Sequence, residues 1–218
     1  MFLEILHNDG TPAATFTILT AHMDPHTGAP LPWERASISA LENLACNIPA
    51  HGAPRSIDMS RPPDPHVNRA RADTLNVPTT GRYAVWPQQC DAFGTMQPQW
   101  FIGRISDSMA NVRARQMGVR SAPTGERQIG GAALEYRITM RNYPVAGDLI
   151  EVRSSVVEAV GKTRRMVHWL VDPQSGAAWA SAEVVAVLLD MQTRKSIEMT
   201  DVERDEIMAI AIPAMWSR

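Results

Sequence analysis

The sequence has only two cysteines in 218 residues, Cys46 and Cys90. They lie far apart and outside any Cys-x-x-Cys pattern, so neither a disulfide framework nor a thiolate zinc site has support, and a reducing cytoplasm fits. Charge of one sign is also lacking. A formal net charge of -2 and a pI near 6.3 leave no basic excess for nucleic acid or an anionic membrane. No apolar run is long enough to span a bilayer. The opening MFLEILHNDG has no basic stretch and is interrupted by Glu4, so no signal peptide is expected. What remains is 44% hydrophobic and 20% charged residues, an ordinary soluble composition with one large or two small cores. Its partner is expected to be a small molecule or another protein.

Hydrophobicity alternates with a period of two through the carboxy-terminal half. In ALEYRITM, Leu134, Tyr136, Ile138 and Met140 share one face, as in a half-buried antiparallel strand. Pro144 and Gly147 mark a turn, and DLIEVRSSVVEAV alternates again through Ile150, Val152 and Ser154. GKTRRMVHWLV and AAWASAEVVAVLLD, joined by DPQSG, complete four strands in a row. Ahead of them, after the strand GRYAVWPQQ, Trp100, Phe101, Ile105, Met109 and Val112 recur at helical spacing, with Pro98 suited to a first turn. The order predicts an α+β fold in which an antiparallel sheet wraps one long helix. A tail at 198–218 opens on the capping box Thr200 to Glu203 and is expected to be a surface helix.

Residues 47–79 are rich in proline and lack periodicity, which reads as a connector over the surface. Upstream, residues 1–46 read as an arm: a hairpin turning at Asp9-Gly10, then a helix with Ile38, Leu41 and Leu44 on one face. HMDPHTGAPLPW at 22–33 parallels LVDPQSGAAW at 170–179, with Gly28 and Gly176 in matching places, either a duplication or generic Asp-Pro turn chemistry. A first copy in that register would lack its helix and its acid.

VWPQQCDAFGTMQPQWFIGRISD, YPVAGDLIEVRSSV and DPQSGAAWASAEVVAVLLDMQTRK together resemble the 4-hydroxybenzoyl-CoA thioesterase-like branch of the hotdog superfamily, over roughly residues 80–197. The resemblance implies a complete hotdog domain there, active sites built between paired protomers, and hydrolysis of acyl-CoA or related thioesters with neither metal nor cofactor. It implies a homodimer or higher homo-oligomer. It maps the family's Asp-x-x-Gly onto Asp91, Ala92, Phe93 and Gly94, with Asp91 as catalytic acid. Thr95, Met96 and Gln97 depart from the His, Ile or Val, then Asn or Tyr that many members carry. The arm looks like the last strands of another hotdog, as in tandem double-hotdog thioesterases.

Thioester hydrolysis needs a group that attacks the carbonyl or deprotonates water, and donors where charge builds on the carbonyl oxygen. Asp91 can supply the first; backbone N–H groups near Gly94, Thr95 and Met96, if they form a first helical turn, can supply the second. By spacing alone Asp91 reads more simply as a turn cap, and the family resemblance reverses that reading. Gln97, Trp100 and Phe101 are candidates for the substrate wall, although an apolar helical stripe is usually core. Asp107 is a reserve acid that can also pair with Arg104 at i, i+3. Cys90 reads as a packed thiol. His22, Asp24 and His26 suggest a metal only if extended, and Pro25 and the turn oppose that; no metal site is expected. Lys162, Arg164 and Arg165 could meet phosphates but read more simply as strand-edge protection. The alternative to a thioesterase is a non-catalytic hotdog that binds acyl ligands or serves in assembly; a hydratase would need His about five residues from Asp, and position 96 is Met.

Overall fold

Apolar alternation becomes an antiparallel sheet, but not in sequence order. The structure, a computed structural model, describes residues 1–24, 27, 29–116 and 129–216. His26 of the metal reading and Gly28 of the repeat lie outside the described residues. The chain divides into two units, Met1–Arg55 and Ser56–Arg218.

The second unit contains strands β3 (Thr79–Ala84), β4 (Ile129–Met140), β5 (Leu149–Val160), β6 (Thr163–Val171) and β7 (Ala178–Asp190) in the order β3-β5-β6-β7-β4. Only β5, β6 and β7 form a meander; β4 crosses to the far edge and pairs with β7, Glu135 facing Val185 and Met140 facing Ala180. The long helix α3 (Gln99–Gln116) lies in the curl of this sheet. Its Phe101, Ile105 and Val112 pack against Ile150, Val152, Val156, Leu170 and Val184. That is the helical stripe meeting the strand alternation read from the sequence.

The outer face is covered as well. Val157, Val167, Trp169 and Val171 pack against Val67, Ala72 and Val77, which lie in or beside the short helix α2 (Arg69–Thr74), and against Met215 near the carboxy terminus. The proline-rich stretch is therefore split: residues from Ser56 onward belong to the second unit, where they supply half of a core. Covering both faces buries Glu151, which takes bonds from Arg82 Nε at 3.0 Å and Arg153 Nε at 2.6 Å. Arg153 also donates to Val77 O and Asp73 Oδ1, each at 2.7 Å, which ties α2 to the sheet.

The basic residues of β6 are not edge protection, because β6 is a central strand. Arg165 pairs with Glu158 and Glu183 and stacks on Trp216, 4.6 Å from its ring centre. The tail helix α4 (Asp201–Ala209) has the expected capping box, Glu203 N donating to Thr200 Oγ1 at 3.2 Å, and also sends Ile207 into the core. Among the described residues no helix is long and apolar enough to cross a membrane.

The first unit holds the hairpin β1 (Phe2–Leu6) and β2 (Pro12–Thr17), with Phe2 facing Thr17, and the helix α1 (Arg35–Glu42). A pairing of His51 with Glu4 and the close approach of Gly52 to the Phe2 ring hold residues 50–52 to β1. None of its described residues is buried. The turn after β2 repeats the one between β6 and β7. Asp24 N donates to Ala29 O as Asp172 N does to Ala177 O, both at 2.8 Å. Ala29 N reaches Thr27 Oγ1 as Ala177 N reaches Ser175 Oγ, both at 3.3 Å. Met23 faces Pro30 as Val171 faces Ala178.

His168, fully buried between helix and sheet, carries a pH signature. Burial pushes its pKa from 6.5 down to about 4. The folded protein therefore keeps it neutral while the unfolded chain takes up a proton below 6.5, so its contribution is complete above 6.5 and is lost as pH falls toward 4. Urea unfolding should show the parent losing about 2 kcal/mol more than His168→Gln between about pH 7 and pH 5. Equal losses would mean that His168 is not held neutral.

Candidate active site

Strand β3 leaves the sheet, passes through a 3-10 turn at Pro87–Gln89 and reaches Asp91 ahead of α3. The bridges Cys90 to Met96 and Thr95 to Val145 pin the loop between them. Asp91 closes that loop: its N–H donates to Thr95 O at 2.9 Å, and Gly94 N donates to its carbonyl at 3.1 Å. Its Oδ1 accepts from Phe93 N at 2.9 Å and Thr95 N at 3.1 Å, and its Oδ2 from Thr95 Oγ1 at 3.0 Å. Gly94 has φ +82°, and a Cβ there would meet nothing within 4 Å. Conformation, not close approach, requires glycine.

Two effects compete at the carboxyl. Desolvation raises the Asp91 pKa and is the largest single effect, but the bonds from Thr95 and Phe93 together outweigh it, leaving the acid below its ordinary range. The Phe93 ring does not shield it, being 85% exposed. Asp91 is thus an ionised, exposed acceptor at neutral pH.

The carbonyl-polarising amides expected at Gly94, Thr95 and Met96 are arranged differently. The helix begins at Gln99, because Pro98 disfavours helical backbone at Gln97. Gly94 N and Thr95 N are spent on Asp91, Met96 N on Pro144 O at 2.8 Å, and Gln97 N on Gln89 O at 2.9 Å. The departures from the family pattern have structural work: Thr95 grips the acid and Met96 is fully buried. Phe101 is core, edge-on to Tyr143 at 6.3 Å, and Trp100 packs partly against the same core. Cys90 also packs there, with its thiol 3.7 Å from Trp86 O.

Asp107 pairs with Arg104 Nη1 at 3.2 Å, and no hydrogen bond links it to Asp91 among the described residues. Arg104 is buried under two rings, 4.8 Å from the centre of Tyr83 and 5.7 Å from that of Trp100. The apolar spacing that reveals α3 gives no hint of this cation on its inner side. His22 Nδ1 donates to Pro32 O at 3.1 Å, and its ring lies tilted beside that of Trp33 at 5.2 Å. Among the described residues no three metal-ligating side chains converge.

The model of the thioesterase-like superfamily matches residues 85–208. The chain belongs to that superfamily. No curated protein matches it. Among solved structures, the probable thioesterase YbaW of Escherichia coli is 15% identical at a TM-score of 0.50, covering 61% of this chain and 98% of its own. Protein SAV2348 of Staphylococcus aureus, solved in complex with CoA, is 15% identical at 0.53, covering 65% and 88%. The 12:0-ACP thioesterase of Umbellularia californica is 17% identical at 0.51, covering 59% of this chain and 49% of that one. These likenesses show the hotdog fold of the superfamily, with the five-stranded sheet curled on α3.

Thr95→Val removes one of the bonds that lowers the Asp91 pKa, so the carboxyl should titrate at higher pH in the variant. Carbon NMR titration of the Asp91 carboxyl checks this; an unmoved or lower pKa would contradict the geometry described.

Proposed function

We propose that the chain hydrolyses an acyl thioester, acyl-CoA or a close relative, with the Asp91 carboxylate as the reacting acid. The observation that carries this reading is the ionised carboxylate held by Thr95 and Phe93 in the Asp-x-x-Gly loop at the entry to α3. The CoA in the S. aureus neighbour supports a CoA thioester, and the U. californica neighbour a carrier-protein thioester. A pKa below the ordinary range suits a nucleophile or an anchor for water better than a strong base, since a base works best when its pKa lies near the working pH. With the Gly94–Gln97 amides occupied, the carbonyl would be polarised by groups outside that loop, and a partner protomer is the natural source.

Asp91→Asn keeps the acceptor for Phe93 and Thr95 and removes the charge. Hydrolysis of an acyl-CoA panel, read as free thiol, should fall at least about 10²-fold with the melting temperature nearly unchanged, while Asp107→Asn stays within a few fold. Full activity in Asp91→Asn would sink the mechanism. The second reading, a hotdog that binds acyl ligands without hydrolysis, is favoured by the same occupied amides and predicts no thiol release from any of the panel.

Assembly belongs to this proposal. Among the described residues no strand pairs with the outer edge of β4, and Leu134 (59% exposed) and Tyr136 lie along that strand. A long apolar edge of this kind is stabilised by a second copy. Light scattering should give a dimer or larger, and Leu134→Lys should shift it toward monomer without unfolding it. A monomeric parent at micromolar concentration would refute this. We also propose that the arm is part of a second hotdog, on the strength of the repeated turn.

A further inference from the structure

Arg104 is a buried cation that leaves most of its donors unused. It is 8% exposed, and among the described residues its one hydrogen bond runs from Nη1 to Asp107 at 3.2 Å. Its Nε is enclosed and has no partner, so the Nε–Nη2 edge, one of the forks by which a guanidinium grips a carboxylate or phosphate, is unused. The rings of Tyr83 and Trp100 lie against the cation without bringing an oxygen to that edge. Trp100 adds a second enclosed donor, its Nε1, likewise without a partner.

Enclosed donors without acceptors cost stability, and a charged one costs more. A second feature of the same stretch of α3 costs stability as well. Gly103 lies inside the helix, where a Cβ would meet only Cε3 of Trp100, at the ordinary contact distance of 3.6 Å. Close packing among the described residues therefore does not require glycine there. Its missing side chain leaves the Trp100 ring room to turn, and a turn of that ring opens the enclosed donors. Their place suits a substrate. Arg104 is five residues, about 7.5 Å of helix, beyond Gln99, in the helix that the Asp91 loop enters. The segments that frame the acid, from Ala84 to Gly103 and from Asn142 to Leu149, contain no Lys, Arg or His. They bring no positive charge of their own.

We propose that Arg104 and Trp100 form an oxyanion subsite of the thioester-binding site, in which a carboxylate or phosphate takes the Nε–Nη2 edge of Arg104 and the Nε1–H of Trp100 once that ring has turned. Asp107, on Nη1, need not leave. That the ligand is the substrate rests on the thioesterase reading; that an oxyanion binds does not. Two parts of an acyl-CoA can supply it, a free carboxylate at the far end of the acyl group or a phosphate of the CoA.

Proton–nitrogen NMR of the full chain, titrated with glutarate and separately with CoA, tests this. The Arg104 Nε–H and Trp100 Nε1–H signals should both move and saturate, with glutarate if the acyl carboxylate is the source and with CoA if a phosphate is. By calorimetry, Arg104→Lys, which keeps the charge and loses the fork, should weaken that ligand about tenfold or more, and Trp100→Phe about tenfold. Gly103→Ala should raise the melting temperature by about 1–4 °C and yet weaken binding, a split that a purely structural cluster does not produce. Hydrolysis is not the readout, so a chain that binds glutarate or CoA in this way and releases no thiol refutes the thioesterase reading and leaves the subsite standing. No saturable movement of the two signals with either ligand, or undiminished affinity in folded Arg104→Lys or Trp100→Phe, would overturn the proposal.

Discussion

Burying β5 on both faces is the constraint on which the second unit depends. A strand covered on one side can leave alternate polar side chains to water; one covered on both sides must find each of them a partner. Glu151 and Arg153 on the outer side answer to one another and to Arg82 and Asp73, which forces Ser56–Thr79 down onto the sheet. Ser154 on the inner side answers to Thr80 and His168. Breaking such a buried pair on one side costs about 3–5 kcal/mol, so these bonds fix the strand against sliding more than they add net stability. With β5 fixed, its partner β3 is fixed too, and β3 delivers the chain to Asp91.

The candidate acid is a contest of the same kind at the surface. Desolvation and donated hydrogen bonds act in opposite directions on Asp91, and in the protomer the donors win. A thioester laid over the loop, or a second protomer beside it, would exclude water and strengthen the desolvation side without removing Thr95 or Phe93. The pKa would then rise from its depressed starting point toward the working pH. If Asp91 is the reacting acid proposed above, the same loop can hold an anion when open and a better base when covered.

Periodicity makes the strands and the one long helix legible, because each needs only local alternation. Strand order is not legible: nothing in ALEYRITM says that it pairs with β7 instead of β5, since that choice is made by tertiary closure over the helix. The same gap hides the Ser154 and His168 pair, which are directly opposed across β5 and β6. The acid emerges by resemblance, whereas its grip by Thr95, four residues on, is a local pattern of Asp and Thr flanking a turn glycine. Reading the loop amides as a first turn misplaces the helix start, which Pro98 delays to Gln99. The basic run of β6 resembles an edge because charge on strands usually marks one; here Glu158 and Glu183 neutralise Arg165 in the interior of the sheet.

The repeated turn shows how far a shared turn pattern can carry a fold. Asp24 and Thr27 rebuild the bonds of Asp172 and Ser175 because an Asp followed by a hydroxyl residue needs only its own backbone. The strand beyond the turn, by contrast, depends on distant partners. In the second unit Ala178 and Ala180 enter β7, a central strand paired on both sides. In the arm the matching positions are Pro30 and Pro32, which lack the N–H a central strand must donate. The extended chain ends there, and α1 begins at Arg35. A sheet built from this arm can carry the counterpart of β6 but not an interior counterpart of β7. If the arm belongs to a second hotdog, that hotdog must close with an edge where the first one has its centre.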